Sequence, residues 1–381
     1  MPTPKNRPKY QELRELLVQR IEQGEWRPGE RLPSEHQIAE EYNFAYMTVR
    51  QAVRELVMAG RLRRIRGRGT FVVETDEPDR KPSIGLLLIP NWHNMDPFYF
   101  PPLVSGFVER AEELGYRVHL ADRSEPLLEF LRFQELRVSA VACVLLDHAD
   151  MVDADALLDK GVLVVAINHY GGARRISAVK ADNQAGSYAA ARYLLDIGHR
   201  RLAYLAGPRY NLDAGERRRG VQKAISDAGL PDHALTVYEG GFLEDSGYER
   251  GKEIVRRRRL PTAVISVSDL AAIGLLKAFR EEGVRVPEDV SVCGFGDFRL
   301  AAYTAPTLTT VRLPIEELGR RSASALIDLY QGYRPEVHVV DCPLVLRDST
   351  AAPRAADALD NTASTARSRA ARQGRRFGAR L

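Results

Sequence analysis

Residues 45–73 read AYMTVRQAVRELVMAGRLRRIRGRGTFVV. From about Ala45 to Ala59, Val49, Ala52, Val53 and Leu56 recur at helical spacing, and Gly60 stands where a helix commonly stops. Tyr46, Met47, Arg50 and Arg54 gather on an adjacent, separate face. A short helix with an apolar back and an aromatic-plus-arginine front suits entry into the major groove of duplex DNA. Five arginines follow within Arg61–Arg68, and Gly67 and Gly69 allow a tight turn between Leu62–Ile65 and Thr70–Val73. Such a hairpin projects its arginines onto phosphates or into a minor groove.

Working outward, Tyr10–Gln23 carries Leu13, Leu16, Leu17 and Ile21 on one helical face and stops at Gly24. Ser34 caps a second helix, and Gln37, three residues on, completes a capping box. Three short helices and a basic hairpin predict an α+β winged helix-turn-helix over residues 1–75. A merely solvated basic face would explain the charge run, but not the order of helix pair, reader face and wing.

Charge supports the same division. Residues 1–75 hold 14 Lys/Arg against 10 Asp/Glu, and residues 351–381 hold 7 Arg against 2 Asp. The chain as a whole is only +4, so the region between them is acidic, and only the head is expected to meet a polyanion. No apolar run is long enough to cross a bilayer and the first residues lack an apolar leader, so the expected location is the cytoplasm. Cys143, Cys293 and Cys342 lie far apart with no metal-ligand spacing, and no metal or cofactor is expected.

Residues 76–82 are polar and proline-bearing and read as a linker, while 351–381 read as a disordered basic tail. Between them, apolar runs alternate with helical stretches: Ile84–Ile89, Arg117–Leu120, Val141–Leu146, Leu163–Ile167, Ile176–Val179, Leu202–Leu205, Ala263–Val267 and Val290–Phe295. Continuous rather than alternating apolar strands imply parallel sheets covered on both faces. Residues 83–350 are therefore expected to form a doubly wound α/β body, with too many strands for one sheet and hence two lobes.

In such sheets ligands sit outside the carboxyl ends of the strands. The residues falling there are Asn91, Trp92 and His93, Phe98 and Tyr99, Asp122, Asp147, His169, Ser268 with Asp269, and Gly296 with Asp297. Aromatic rings that cover C–H faces, and acids that accept from hydroxyls, suit a polyhydroxylated ligand. No phosphate-binding glycine loop, metal cluster or nucleophile elbow competes with this reading, which argues against an enzyme.

The head resembles the GntR-type winged helix through Trp26–Glu35, Thr48–Val53 and Arg66–Val72. The resemblance places Thr48, Arg50 and wing residues Arg66, Gly67, Arg68, Gly69 and Thr70 on DNA. Two positions depart from the family pattern. Ala45-Tyr46 stands where Ser-Arg is usual, and His36 where Arg is frequent. Losing an arginine there removes a guanine-reading fork, and Tyr46 offers a ring to a thymine methyl or one hydrogen bond instead.

The body resembles the effector domain of the lactose/galactose repressor family, itself similar to type I periplasmic sugar-binding proteins. The matching pieces are Asp182-Asn183 with Gly186, Gly198–Arg201, Glu216-Arg217 with Gly220, Val286–Ser291, Pro306–Val311 and Leu346–Thr350. That family implies Arg217 as the ligand clamp. Ser268 replaces the family's Asn beside Asp269, and Gly296 replaces a ligand-binding Asp before Asp297. These departures leave a different sugar, a sugar acid or a nucleoside open as the effector. Head and body together resemble the arabinose repressor group. That implies a homodimer that binds operator DNA and responds to a carbohydrate or derivative held between two lobes. A cytoplasmic sugar-binding module without a DNA role is the competing expectation.

Overall fold

The structure is a computed structural model. It describes residues 9–58, 61–65, 68–73, 82–88, 98–122, 138, 140–146, 148–159, 161–168, 176–257 and 259–354. The head runs α1 (Lys9–Glu22), α2 (Glu35–Glu41), α3 (Tyr46–Met58), β1 (Leu62–Ile65) and β2 (Gly69–Val72). Ser34 Oγ accepts from the Gln37 N–H, and Gln37 Oε1 accepts from the Ser34 N–H, which is the expected capping box. Leu13 and Leu17 of α1, Ile38 of α2, and Val49, Ala52, Val53 and Leu56 of α3 are buried, which joins the three helices in one small core. The antiparallel hairpin sets Arg64 opposite Thr70. The segment before α2 pairs with β2 as well: the Leu32 N–H donates to Thr70 O at 2.7 Å and the Val72 N–H to Glu30 O at 2.9 Å.

The next strands are β3 (Ser83–Leu88), β4 (Arg117–Asp122), β5 (Ala140–Leu145), β6 (Leu163–Asn168) and β7 (Ser177–Ala181). Then come β8 (Leu202–Ala206), β9 (Leu235–Glu239), β10 (Ala263–Ser266), β11 (Ser291–Gly296) and β12 (Thr309–Arg312), with β13 (Val337–Val340) and β14 (Leu344–Val345) last. The helices among them are α4 (Phe100–Glu113), α5 (His148–Asp159), α6 (Asn183–Asp196), α7 (Leu212–Asp227), α8 (Glu244–Val255), α9 (Asp269–Glu281) and α10 (Ile315–Tyr330).

These elements form two compact units. The first holds the head, the chain up to Leu145, and residues 149–180 and 315–338; the second holds residues 146–148, 181–314 and from 339 onward. One sheet has the order β4-β3-β5-β6-β7-β13, and the other the order β9-β8-β10-β11-β12-β14. β3 to β7 pair in parallel, as do β8 to β12, and β14 closes its edge antiparallel. The same 2-1-3-4-5 order thus occurs twice, and in each sheet it puts a switch point beside the first strand of that set, where α/β sheets hold ligands.

Helices on these sheets approach closely because glycines face backbone. A Cβ on Gly247 of α8 would lie 1.8 Å from Ala271 O of α9, and one on Gly274 of α9 would lie 1.9 Å from Glu244 O of α8. In the first unit, Gly106 of α4 and Gly319 of α10 face Glu316 O and Leu103 O in the same reciprocal way. The apolar runs meet the expectation of two-faced burial: every residue of β5, β8, β10 and β11 is buried. All three cysteines are free and buried.

The basic tail was expected to begin at residue 351, but 351–354 pack on the second unit. Ser291 Oγ bonds the Ala351 backbone, His199 Nε2 meets Ala351 O at 2.9 Å, and Arg354 pairs with Asp289. Residues 355–381 lie outside the described residues. Burial holds the His199 imidazole down at about 4, against an ordinary value near 6.5. A depressed histidine stabilises the fold fully above pH 6.5, and that contribution is lost as pH falls towards 4. The loss should amount to about 3 kcal/mol at most. His199→Gln, which keeps a donor for Ala351 O, should remove it. The variant's deficit in urea midpoint against wild type at pH 7 should therefore shrink at pH 4.5; a deficit that is the same at both pH values would contradict the assignment.

Candidate DNA-reading head and effector site

α3 presents its first turn outward. Ala45, Tyr46 and Met47 are exposed, Met47 at 66%, and Thr48 is half-buried, while Val49, Ala52 and Val53 behind them anchor the helix. His36, near the start of α2, is also exposed, and its ring stacks on Tyr46 with centroids 4.5 Å apart and planes 15° from parallel. In the wing, Arg68 is exposed, Thr70 is half-buried, and Gly69 leaves the space that the Arg31 guanidinium fills. Arg66 and Gly67 lie outside the described residues.

The expected arginine front is not free in this state. Arg50 and Arg54 hold their guanidinium groups over the Tyr333 ring, 5.4 and 5.9 Å from its centroid. Arg64 donates to Gln331 O at 2.8 Å and pairs with Glu35. Sequence reading missed Tyr333 and this role of Arg64, because their partners are more than 250 residues apart. The only signal was the position of Tyr333 just beyond a helix end marked by Gly332.

In the second unit Arg217 of α7 is 6% exposed. Its Nε donates to Asn183 Oδ1 at 2.8 Å and its Nη1 to Val267 O at 2.8 Å, at the end of β10. The guanidinium lies 4.0 Å from the Phe295 ring centroid and 5.8 Å from that of Phe242. Asn183 in turn donates to Asp213 Oδ1 at 3.1 Å, which fixes which way its amide faces. Among the described residues no carboxylate lies within ion-pairing distance of Arg217, and Nη2 has no partner.

The other polar groups expected to face a ligand here are used within the unit. Ser268 caps α9 by accepting from the Ala271 N–H, and it donates to Phe242 O. Asp269 is fully buried, with Oδ1 accepting from Thr310 Oγ1 and Oδ2 from the Phe298 N–H. Burial pushes its carboxyl up to about 6, so its pull on stability, lost as pH rises through 6, opposes that of His199. Asp297 takes a left-handed backbone at φ 54° and accepts from Arg312 Nε at 2.7 Å and Arg347 Nη2 at 2.6 Å. Ser268, Asp269 and Asp297, expected to face the ligand, thus each also make bonds within the second unit that fix the loops at these strand ends. At Gly296, φ is 143°, and a Cβ would meet the Phe298 ring at 3.0 Å. A phenyl edge fills the place where the resembled family carries a carboxylate.

The strand ends of the first unit add Tyr99, whose hydroxyl donates to Asn168 Oδ1 at 2.7 Å, and Phe100, edge-on to Tyr99 at 5.1 Å. Phe98 is half-buried beside them. Asn168 is 2% exposed, with φ 80°, and its Nδ2 has no acceptor among the described residues. Sequence reading passed over Asn168 for its neighbour His169. Asn is among the few residues that tolerate such a backbone, so its place at a strand end was the available signal. Trp92, Asp147 and His169 lie outside the described residues.

Comparison with known proteins decides the class. Residues 9–72 match the bacterial regulatory proteins of the gntR family, and residues 191–350 match the periplasmic binding protein-like domain. The arabinose metabolism transcriptional repressor of Geobacillus stearothermophilus is 28% identical over 370 residues, covering 91% of this chain and 98% of that relative. A LacI family transcriptional regulator from Mycobacterium smegmatis, of known structure, is 30% identical with a TM-score of 0.60, covering 71% of this chain and all of that one. The transcriptional regulator CelR in complex with cellobiose is 27% identical with a TM-score of 0.64, covering 84% of this chain and all of that one.

The chain is a GntR–LacI hybrid repressor.

The hybrid repressor is thus a DNA-binding transcription regulator and not an enzyme. Its winged head has the α3 and hairpin geometry that the gntR match covers, and its two parallel sheets are those of the LacI-type effector fold. Among the described residues, no helix of the hybrid repressor is long and apolar enough to cross a membrane.

Proposed function

We propose that the repressor, as a homodimer, reads an operator duplex with Tyr46, Met47, Thr48, Arg50 and Arg54 of α3, next to His36 and Ala45. In this reading the wing residues Arg66 to Thr70 contact the backbone. The domain plan behind this is a head over 1–75, a linker over 76–82 and an effector body from 83 to about 354. A small polyhydroxylated effector, a carbohydrate or derivative, engages Arg217 of the second unit against the Phe242 and Phe295 rings. Its binding changes operator affinity, because it favours one arrangement of the protein over another.

One observation carries the effector reading. A buried cation without a carboxylate partner among the described residues, set against aromatic faces, matches a ligand that offers oxygen acceptors and apolar C–H surface. The names of the arabinose repressor and the cellobiose complex favour a sugar. The same unpaired cation favours a sugar acid as the second reading.

Fluorescence anisotropy on promoter fragments from the protein's own locus, with a panel of sugars and sugar acids, tests the whole scheme. Operator binding should weaken steeply with salt, and one effector should shift it. Arg50→Ala should cut operator affinity roughly tenfold or more and leave effector-induced thermal stabilisation unchanged. Equal operator affinity in Arg50→Ala would remove α3 from the interface.

A further inference from the structure

The two head positions that depart from the GntR pattern touch each other. His36 lies near the start of α2 and Tyr46 opens α3, and their rings stack face to face at 4.5 Å. Tyr46 is 36% exposed and His36 is exposed, and neither side chain makes a hydrogen bond among the described residues. The pair therefore adds little to the head's core, which α3 builds from its opposite face with Val49, Ala52 and Val53. What the stack does is fix the orientation of a phenol ring at the N-terminal turn of the reader helix. That turn of a recognition helix meets base edges. Holding the ring in place before binding lowers the ordering cost of using it.

An aromatic face carries no donor pattern with which to fork onto guanine. The apolar group that the major groove offers is the thymine C5-methyl. We propose that His36 and Tyr46 act as one specificity platform. Tyr46 covers a thymine methyl in each operator half-site, and His36 backs the ring so that it stays there. The pair thus exchanges a guanine preference for a thymine preference at that step. The inference rests on α3 being the operator-reading helix and adds which base it takes and why.

The experiment starts by selecting operators from random duplexes with the full-length protein. Each thymine of the selected site is then replaced, one at a time, by uracil, which removes only the methyl. For wild type, one replacement per half-site should weaken binding about fourfold, the value of burying one methyl group. In Tyr46→Ala the same replacement should be silent. In His36→Ala the discrimination should fall below about twofold, with the melting temperature and salt dependence kept. Tyr46→Arg should select guanine at that step. The proposal is overturned if every uracil site binds wild type within about 1.5-fold of thymine, or if the discrimination survives Tyr46→Ala. Failure of the underlying reading has a different mark: no duplex is enriched, or Arg50→Ala binds the selected operator as wild type does.

Discussion

Arg217→Met is expected to weaken effector binding about 100-fold while leaving operator affinity without effector within about threefold. Methionine refills most of the volume between Phe295 and Phe242 but supplies neither charge nor donors. In the native protein Nε and Nη1 are committed to Asn183 and Val267, so the ligand is left with Nη2 and the positive charge. Charge-assisted hydrogen bonds contribute about 1.5–3 kcal/mol each, and one or two of them account for the expected loss. Arg217→Lys should recover only part of it, because an ammonium cannot hold Asn183 and Val267 and still reach the ligand in the same plane. Calorimetric titration with the effector found by thermal shift measures this. Unchanged affinity in Arg217→Met would place the effector elsewhere.

The second large effect is structural. Gly274→Val should lower the stability of the second unit by more than about 3 kcal/mol, or by roughly 10 °C in melting temperature, and Gly274→Ala should already destabilise it. An alanine in a helix interior ordinarily adds up to about 1 kcal/mol over glycine, so the expected sign is reversed here. The reason is the 1.9 Å approach of the would-be Cβ to Glu244 O, a backbone atom that moves only if α8 moves. Gly215→Ala in α7 supplies the contrast. Its nearest neighbour is the flexible Arg219 guanidinium at 3.5 Å, and that substitution should be neutral or stabilising. Thermal melts of the three variants beside wild type check both signs at once; a stable Gly274→Val would mean the helices sit further apart.

Much of the fold was legible because burial on both faces of a parallel sheet leaves an unbroken apolar run. Val141–Leu146 and Leu202–Leu205 were visible as strands within a residue or two of β5 and β8. The strands that were missed, β9, β12, β13 and β14, lie towards sheet edges, where sheet geometry does not demand continuous apolarity. β9 shows the reason: only one of its five residues is buried. In the head, the capping box and the apolar face of α3 were local and legible. The engagement of Arg50 and Arg54 with Tyr333 was not, since nothing near residue 50 announces a ring at residue 333. In the effector site, spacing along the chain found the strand ends but not the direction of their side chains. Nothing in the sequence around Asp269 and Asp297 announced their bonds to Thr310, the Phe298 N–H, Arg312 and Arg347.

The sheet of the first unit is threaded in a way that bears on synthesis. Its core strands β5 and β6 are covered by α10, and β13 completes its edge, yet both elements are encoded after β8 to β12 of the other unit. On the ribosome the head can close on itself early, whereas β3 to β7 must wait, apolar face uncovered, until residues beyond Ile315 emerge. Apolar surface left exposed in this way makes a nascent chain aggregation-prone. A stop codon after the head but before Ile315 would leave the head joined to a first-unit sheet without α10 and β13, rather than a shorter working sensor.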